Sequence, residues 1–475
     1  MTLRQAQGQP EHRRGLNERH ARIGLASVFF VYIVVMRTYD VSSTFLMLGE
    51  QTRDWTIALG GLTHLPLVGA PSTAGGRGFG PSYYWLLWIG RMLLGPFMDN
   101  LPHAGGITVA LLQSIADTWL LIALSRRVHW GLALALCLLI ASAPFDIAIS
   151  SVIWNPPVAA ALIKMSVASA LSMSPPAPLR GSGETGSALG PTAVTAGLAW
   201  MAVQAHLSAL FIAGPLLVAL AIQPFYDRST GVLRPFYDRA KPAVIVAAVV
   251  IVLQIPFLIS VLREPNAPAG PSSAIAGLTN PKAFRPWTAF DSVTGITGNL
   301  VWPAPDSFKF SYPALLLALI VAFKYRKEPI VVAVTSGAIV AATALFTTST
   351  RNYDGYWFIP FTAALTLTLG MAIAAIPSKA AVKWVGFALL ALVVWRQPVR
   401  IEDSKRFFKY PQYDAMLKGS RQLMMQAPVV RDIKVTFDVH PTMDRQFIYK
   451  ILGGRIDGAA LYTAVINSDG SVKLE

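Results

Sequence analysis

Residues 23–61, "IGLASVFFVYIVVMRTYDVSSTFLMLGEQTRDWTIALGG", decide the fold, because an apolar run ends there and a stretch with three carboxylates begins. The run at 23–38 approaches the ~20 residues that a helix needs to cross a bilayer. Asp40, Glu50 and Asp54 follow within fifteen residues. Ionisable groups at membrane depth or its edge are costly and functional by default. We therefore expect a membrane protein with its chemistry at the exit of the first span.

The composition supports this interpretation. Of the 475 residues, 53% are apolar and only 14% are charged, and the mean hydropathy is +0.49. Soluble domains are about 25% charged. The net charge of +15 accompanies no basic stripe with interleaved aromatic residues, so we expect no nucleic-acid partner. The single cysteine, Cys137, lies inside an apolar run, which excludes a disulfide framework.

The predicted fold class is an all-α polytopic membrane protein with a transmembrane domain at 23–397. The polar, arginine-containing residues 1–22 are interpreted as a cytoplasmic tail. Placing Arg126, Arg127 and "KYRK" (324–327) inside gives one alternation that satisfies the positive-inside rule. The eleven spans are predicted at 23–38, 105–125, 128–147, 156–174, 188–206, 207–222, 243–262, 311–325, 329–347, 356–376 and 383–397.

Within the first outer loop, 39–104, the segment "PSYYWLLWIGRMLLGPFM" (81–98) is apolar enough to be a span. Arg91 lies in its middle, and counting it as a span would move Arg126 and Arg127 outside. A helix lying in the membrane interface, with its aromatic residues at headgroup depth, avoids both problems. We therefore predict an interfacial helix.

Two further segments are predicted outside the membrane. Residues 263–310 form a long outer loop rich in Pro, Ser and Gly, of a length typical of functional loops. Residues 398–475 have the composition of a small α/β domain. Its predicted elements are a helix at "PQYDAMLKGSRQLMMQ", a strand at "IKVTFDV" and a hairpin at "YTAVINSDGSVKL".

Unusual polar and aromatic residues gather in four loops on the predicted outer face. Each has a structural alternative: Asp40 as a helix cap, Asp54 as the partner of Arg53, Trp154 as a belt aromatic, and His206 as an interhelical hydrogen-bonding residue. Their collection on one side favours a functional site. The residues concerned are Asp40, Asp54, Trp154, Asn155, His206, Arg351 and Tyr353.

Nucleotide and metal motifs are absent from the sequence. "GGRGFG" (75–80) matches neither glycine-rich phosphate-binding pattern, and its Arg77 remains free to meet an anion. No Cys/His cluster or H-E-x-x-H motif is present. No cofactor is assigned, and a hydrated divalent metal ion held by carboxylates stays open.

The order of motifs over residues 20–376 resembles bacterial GT-C membrane glycosyltransferases of the protein O-mannosyltransferase and aminoarabinose transferase type. In that family an Asp after the first span precedes a "GDW"-like stretch and a "PP-x-YYW" juxtamembrane helix. The matching segments here are Asp40, "LGEQTRDW", "HLPLVGAPSTAGG", "FGPSYYWLLWIGRMLLGP", "SSVIWNPP", "QAHLSALFIAGP" and "RNYDGYWFIPF". Departures are Val41 at a commonly acidic position, Arg77 as the nearest cation to a missing Lys, and Asn155 where some relatives carry Asp.

The resemblance implies transfer of a sugar from a polyprenyl-phosphate donor to a lipid, glycan or protein acceptor, in the bacterial inner membrane with the active site facing the periplasm. It implies catalytic roles for Asp40 and Asp54. The implied substrate-binding residues are Arg77, Tyr83, Tyr84, Trp154, Asn155, His206, Arg351 and Tyr353. Membrane lipids are the remaining expected partners.

Two alternatives stay open. One is a catalytically inactive GT-C-like scaffold that binds a partner through its outer domain. The other is a secondary transporter, which should show broken helices in matching halves and polar residues near the midplane.

The topology can be tested with reporter fusions. A fusion after residue 127 should report cytoplasm and a fusion after residue 410 should report the exterior, because the basic loops fit one alternation. Reporter activity on the same side for both fusions would contradict the topology.

Overall fold

The computed structural model describes residues 9–39, 41, 45–71, 78–173, 189–226, 236–264, 284–305, 307–347, 355–405, 407, 412–437 and 444–475. Most of these residues are helical. The helices are α1 Gln9–Thr38, α2 Gly49–Leu59, α3 Ser82–Leu94, α4 His103–Ser125, α5 Trp130–Ala141, α6 Pro144–Ser150, α7 Asn155–Met173, α8 Leu189–Ala205, α9 Leu210–Tyr226, α10 Phe236–Arg263, α11 Pro286–Val301, α12 Ser311–Lys324, α13 Pro329–Val332, α14 Ala338–Phe346, α15 Phe361–Ala374, α16 Lys379–Ser404, α17 Gln412–Gln426 and α18 Phe447–Ile451. A π-helical turn, Ala333–Gly337, joins α13 to α14.

The described helices confirm an all-α polytopic membrane fold. Six are long and apolar enough to cross a membrane, or seven when the bent pair α5 and α6 counts as one span. Every predicted span coincides with a described helix, a joined helix pair or the bent pair. The count of eleven stays a prediction, because three of these apolar helices have 10–17 residues: Leu207–Gln223, Ser311–Lys324 and Phe361–Ala374.

The segment predicted as one span at 128–147 is broken, with α5 and α6 at 62° to each other. Pro144 begins α6, where a residue without a backbone N–H is tolerated. Arg400 of α16 donates hydrogen bonds to free carbonyl groups at the end of α5. Its Nη2 donates to Leu139 O at 2.7 Å and its Nε to Ser142 O at 2.7 Å. A buried guanidinium thus caps a helix that stops inside the protein.

Helix α3 is short and has one buried and one exposed face. Its 13 residues extend about 20 Å, against roughly 30 Å of hydrocarbon. One face, including Tyr83 and Leu87, is buried, while Leu93 and the following Phe97 are 64% and 85% exposed. This two-faced helix fits the predicted interfacial placement.

Small residues let α4 approach its neighbours closely. A Cβ at Gly106 would overlap the carbonyl oxygen of Ser151 and the ring of Phe45. A Cβ at Gly90 of α3 would overlap Thr108 of α4. These contacts place the α6–α7 connection and α3 against the same part of α4.

The predicted outer loop 263–310 contains a helix that hydropathy did not reveal. Helix α11 packs against α14 and α15 and buries Val293, Thr294 and Thr297. The two threonines donate to backbone carbonyls one turn earlier in the helix, at Phe290 and Val293. Because its buried face is partly polar, α11 has no apolar signature of a span.

The carboxy-terminal residues form the predicted small α/β domain. Strands β1 Val429–Val430 and β3 Arg455–Ile456 pair in parallel, as do β2 Asp432–Val435 and β4 Thr463–Ile466. Strand β4 forms an antiparallel hairpin with β5 Val472–Leu474, as predicted. The preceding helix α16 continues past the predicted boundary at residue 398 and ends at Ser404.

The domain docks on the first outer loop. The Tyr413 hydroxyl lies 2.8 Å from Nδ1 of His103, and the Tyr413 ring lies 4.9 Å from the Phe45 ring, centroid to centroid. Arg421 and Asp99 form an exposed ion pair nearby. The domain therefore lies on the same face of the molecule as Phe45, Asp99 and His103.

Cysteine labelling can test the placement of α3. In a Cys137→Ser background, single cysteines at positions 62 and 97 should both react with an impermeant reagent added outside. Leu62 precedes α3, Phe97 follows it, and both side chains are exposed. Reaction at residue 97 only from the cytoplasm would show that α3 crosses the membrane.

Candidate functional site at the outer loops

The carboxylate of Asp54 is buried and bound by three side chains. Tyr83 donates to its Oδ2 at 2.9 Å and Tyr84 to its Oδ1 at 3.0 Å. Arg53 donates to Oδ1 at 2.8 Å. The predicted pairing of Asp54 with Arg53 is thus present. The hydrogen bonds from the hydroxyls of Tyr83 and Tyr84 were not predicted.

This environment defines what Asp54 can do. Burial raises the pKa of the Asp54 carboxyl above its ordinary value, and Arg53 and the two tyrosines oppose part of that rise. Tyr83 and Tyr84, which the family resemblance implied as substrate-binding residues, are 0% and 2% exposed, so both rings are buried in this arrangement. The hydrogen bonds of Tyr83 and Tyr84 to Asp54 connect α3 to α2, and we call these three residues the Asp54 joint.

A second group of outer residues forms an aromatic rim. The ring of Trp154 lies 5.0 Å from that of Tyr356, and His206 lies 5.0 Å from Trp357 and 6.0 Å from Tyr356. Trp154, His206 and Tyr356 are only partly buried. The aromatic rim therefore presents aromatic surface and an imidazole together.

Hydrogen bonds to the backbone connect the aromatic rim to the Asp54 joint. Asn155 donates to Ala205 O at 2.9 Å, which fixes the start of α7 beside His206. Ser82, next to Tyr83, donates to Met201 O of α8 at 2.8 Å. Gln51 of α2 donates to Ile153 O at 3.3 Å. The structure thus brings together Asp54, Tyr83, Tyr84, Trp154, Asn155 and His206 through a chain of direct contacts.

A cluster of four buried charges lies beneath these loops. Nη2 of Arg37 is 2.7 Å from Asp117 Oδ2 and 2.6 Å from Asp146 Oδ2. Nζ of Lys164 is 2.9 Å from Asp117 Oδ1 and 3.5 Å from Asp146 Oδ1. The four side chains are at most 4% exposed. Two positive and two negative charges therefore neutralise each other inside the helix bundle.

The charge cluster ties four helices at one depth. Its members come from α1, α4, α6 and α7, and Asp117 lies nine residues beyond Thr108, about 14 Å further along α4. Lys164 also donates to Gln113 Oε1 at 2.9 Å. This cluster was not predicted from the sequence. Asp117, Asp146 and Lys164 are nevertheless visible in the sequence as charges inside predicted apolar spans, and such charges are rare and are paired or functional.

Four predicted site residues, Asp40, Arg77, Arg351 and Tyr353, lie outside the described residues. Over the ranges that the structure describes, no group of three or more His, Cys, Asp or Glu side chains could hold a metal ion.

Removing one partner should show what the charge cluster contributes. Asp117→Asn leaves Arg37 and Lys164 sharing one carboxylate, and breaking a buried ion pair costs about 3–5 kcal/mol of stability. The control is Glu328→Gln, whose partner Arg127 is buried but whose own side chain is 39% exposed. Because exposed pairs contribute about 0–1 kcal/mol, its loss should be small.

Denaturant unfolding in detergent compares the two variants. Equal losses of stability for Asp117→Asn and Glu328→Gln would contradict a stabilising role for the cluster.

No family model and no curated protein sequence matches the chain. Solved structures do. ArnT from Cupriavidus metallidurans in the apo state has 14% identity and a TM-score of 0.53, over 95% of this chain and 93% of that one. The same protein bound to undecaprenyl phosphate has 13% identity and a TM-score of 0.52, over 94% and 93%. These matches show that the chain shares the fold of ArnT, as the order of motifs over residues 20–376 predicted.

Proposed function

We propose that the protein is an integral-membrane glycosyltransferase that moves a sugar from a polyprenyl-phosphate donor to a lipid, glycan or protein acceptor. The observation that carries this proposal is the convergence of α2, α3, the α6–α7 connection, the α8–α9 break and residues 355–358 on one face. The fold adds support, because ArnT has been solved with undecaprenyl phosphate bound.

The proposed reaction is attack of an acceptor hydroxyl on the anomeric carbon of the sugar. The new glycosidic bond forms as the bond to the polyprenyl phosphate breaks, and the hydroxyl proton passes to a base. We assign the base to Asp40, which lies two residues after the end of α1 in sequence. Arg77 and Arg351 are assigned to the departing phosphate, whose growing negative charge cations stabilise. His206, whose Nδ1 accepts from the Ser208 N–H, is assigned to the same phosphate as a hydrogen-bond donor through its other ring nitrogen.

Asp54 is assigned a positioning role. Its oxygens already accept hydrogen bonds from Arg53, Tyr83 and Tyr84, so taking a proton would disrupt the joint between α2 and α3. Trp154 belongs to the aromatic rim, Asn155 follows it, and Tyr353 lies three residues before Tyr356 in sequence. We assign these residues to the sugar or the prenyl chain.

The buried charges do not favour a transporter. A transport site needs polar groups that are open to a substrate and to water near the midplane. Arg37, Asp117, Asp146 and Lys164 are instead neutralised by each other and closed to solvent. We therefore place the site at the outer loops, facing the periplasm of a bacterial inner membrane.

Substitution of the proposed base tests this assignment. Asp40→Asn should lower turnover at least ~100-fold with expression unchanged, because a general base contributes about 10²–10⁴-fold. Asp54→Asn should lower turnover less and reduce thermal stability. Arg77→Ala and Arg351→Ala should raise the KM for the donor more than the KM for the acceptor. The assay is sugar transfer from a polyprenyl-phosphate donor in liposomes.

Near-normal turnover in Asp40→Asn together with loss of turnover in Asp54→Asn would reverse the two roles. Absence of both transfer and hydrolysis of every lipid-linked sugar by the wild-type protein would contradict the enzyme assignment itself.

A further inference from the structure

An apolar cavity of about 260 Å³ opens between α11, α12, α15 and α16, and none of the outer-loop site residues lines it. Aliphatic and aromatic side chains supply almost all of its wall. Among the lining residues are Leu139, Trp302, Phe308, Phe310, Leu365 and Leu392. Trp302, Phe308 and Phe310 belong to the connection between α11 and α12, which our topology places at the outer face.

One face of α16 runs from this cavity to two cations. Leu389 and Leu392 line the cavity, and Arg396 and Arg400 follow at helical spacing on the same face. The guanidinium carbons of Arg396 and Arg400 lie 5.9 Å and 5.5 Å from the centre of the Trp302 ring. The apolar wall therefore ends at a pair of positive charges.

Neither cation has a carboxylate in contact within the described residues. Arg400 is buried and donates to the backbone carbonyls of Leu139, Ser142 and Val301. Arg396 is half-buried and lies against Trp302. Buried or half-buried charges are normally paired. Asp146, the carboxylate whose charge acts on Arg400, already binds Arg37 and Lys164, so within the described residues no carboxylate contacts Arg396 or Arg400.

We propose that this cavity binds an anionic phospholipid, with one acyl chain against Leu389 and Leu392 and the phosphate at Arg396. A bilayer lipid of the outer leaflet has this combination of an apolar chain and a negative headgroup at the membrane edge. The cavity lining covers one turn of α15, from Leu365 to Leu369, and one turn of α16. This length suits part of an acyl chain rather than a long polyprenyl chain. The proposal does not depend on the catalytic assignment.

Quenching of tryptophan fluorescence by brominated lipids tests the site. The protein is delipidated in detergent and titrated with brominated phosphatidylglycerol or brominated phosphatidylcholine. The part of the quenching that is lost in the Trp302→Phe variant comes from Trp302 and therefore reports lipid bound in the cavity. We expect the anionic lipid to bind there several times more tightly than the zwitterionic one.

Three variants separate headgroup from chain. Arg396→Gln should weaken phosphatidylglycerol binding roughly fivefold, the contribution of about one basic residue near an anionic lipid, and leave phosphatidylcholine unchanged. Leu392→Phe should weaken both lipids, because the larger side chain fills part of the cavity without adding a tryptophan. Arg326→Gln, which removes a cation stacked 4.8 Å over Phe323 at the other end of α12, should change neither.

Equal affinities for the two lipids, or an unchanged affinity for phosphatidylglycerol in Arg396→Gln, would overturn the proposal. Tighter binding of undecaprenyl phosphate than of phosphatidylglycerol in the same titration would overturn the assignment to a phospholipid.

Discussion

The ion pairs of Arg37 with Asp117 and Asp146 are the constraint on which the outer half of the bundle depends. A charge within the membrane domain must be neutralised close by, or it is too costly to keep there. Together with Lys164, these residues therefore fix α1, α4, α6 and α7 relative to one another at one depth. The connection between α6 and α7, which carries Trp154, therefore starts from a fixed point.

The break between α5 and α6 follows from the same requirement. Asp146 reaches the cluster because α5 stops at Ala141 and α6 turns by 62°. Arg400 of α16 stabilises that turn, because it donates hydrogen bonds to the carbonyl oxygens of Leu139 and Ser142 at the end of α5. The connection after α6 then crosses Gly106 of α4 and delivers Trp154 and Asn155 to the aromatic rim. Buried charge thus determines the shape of the proposed site above it.

Sequence patterns predicted the helical spans and the terminal hairpin because both depend on local periodicity and turn residues. The break inside 128–147 was missed, since its cap, Arg400, lies 258 positions from Ser142. Helix α11 was missed because its buried face carries threonines instead of a continuous apolar stripe. Asp117, Asp146 and Lys164 were visible as charges in apolar runs, but their pairing depends on helix packing. The hydrogen bonds of the Tyr83 and Tyr84 hydroxyls to Asp54 also depend on how the helices pack.

The central claim is that this GT-C fold transfers a lipid-linked sugar at its outer face. The most direct test compares the envelope lipids, glycans and glycoproteins of a deletion strain with those of strains expressing the wild-type chain or Asp40→Asn. The account predicts that one glycan loses a sugar on deletion, that the wild-type chain restores it, and that Asp40→Asn does not. Identical glycans in all strains, or full restoration by Asp40→Asn, would contradict it.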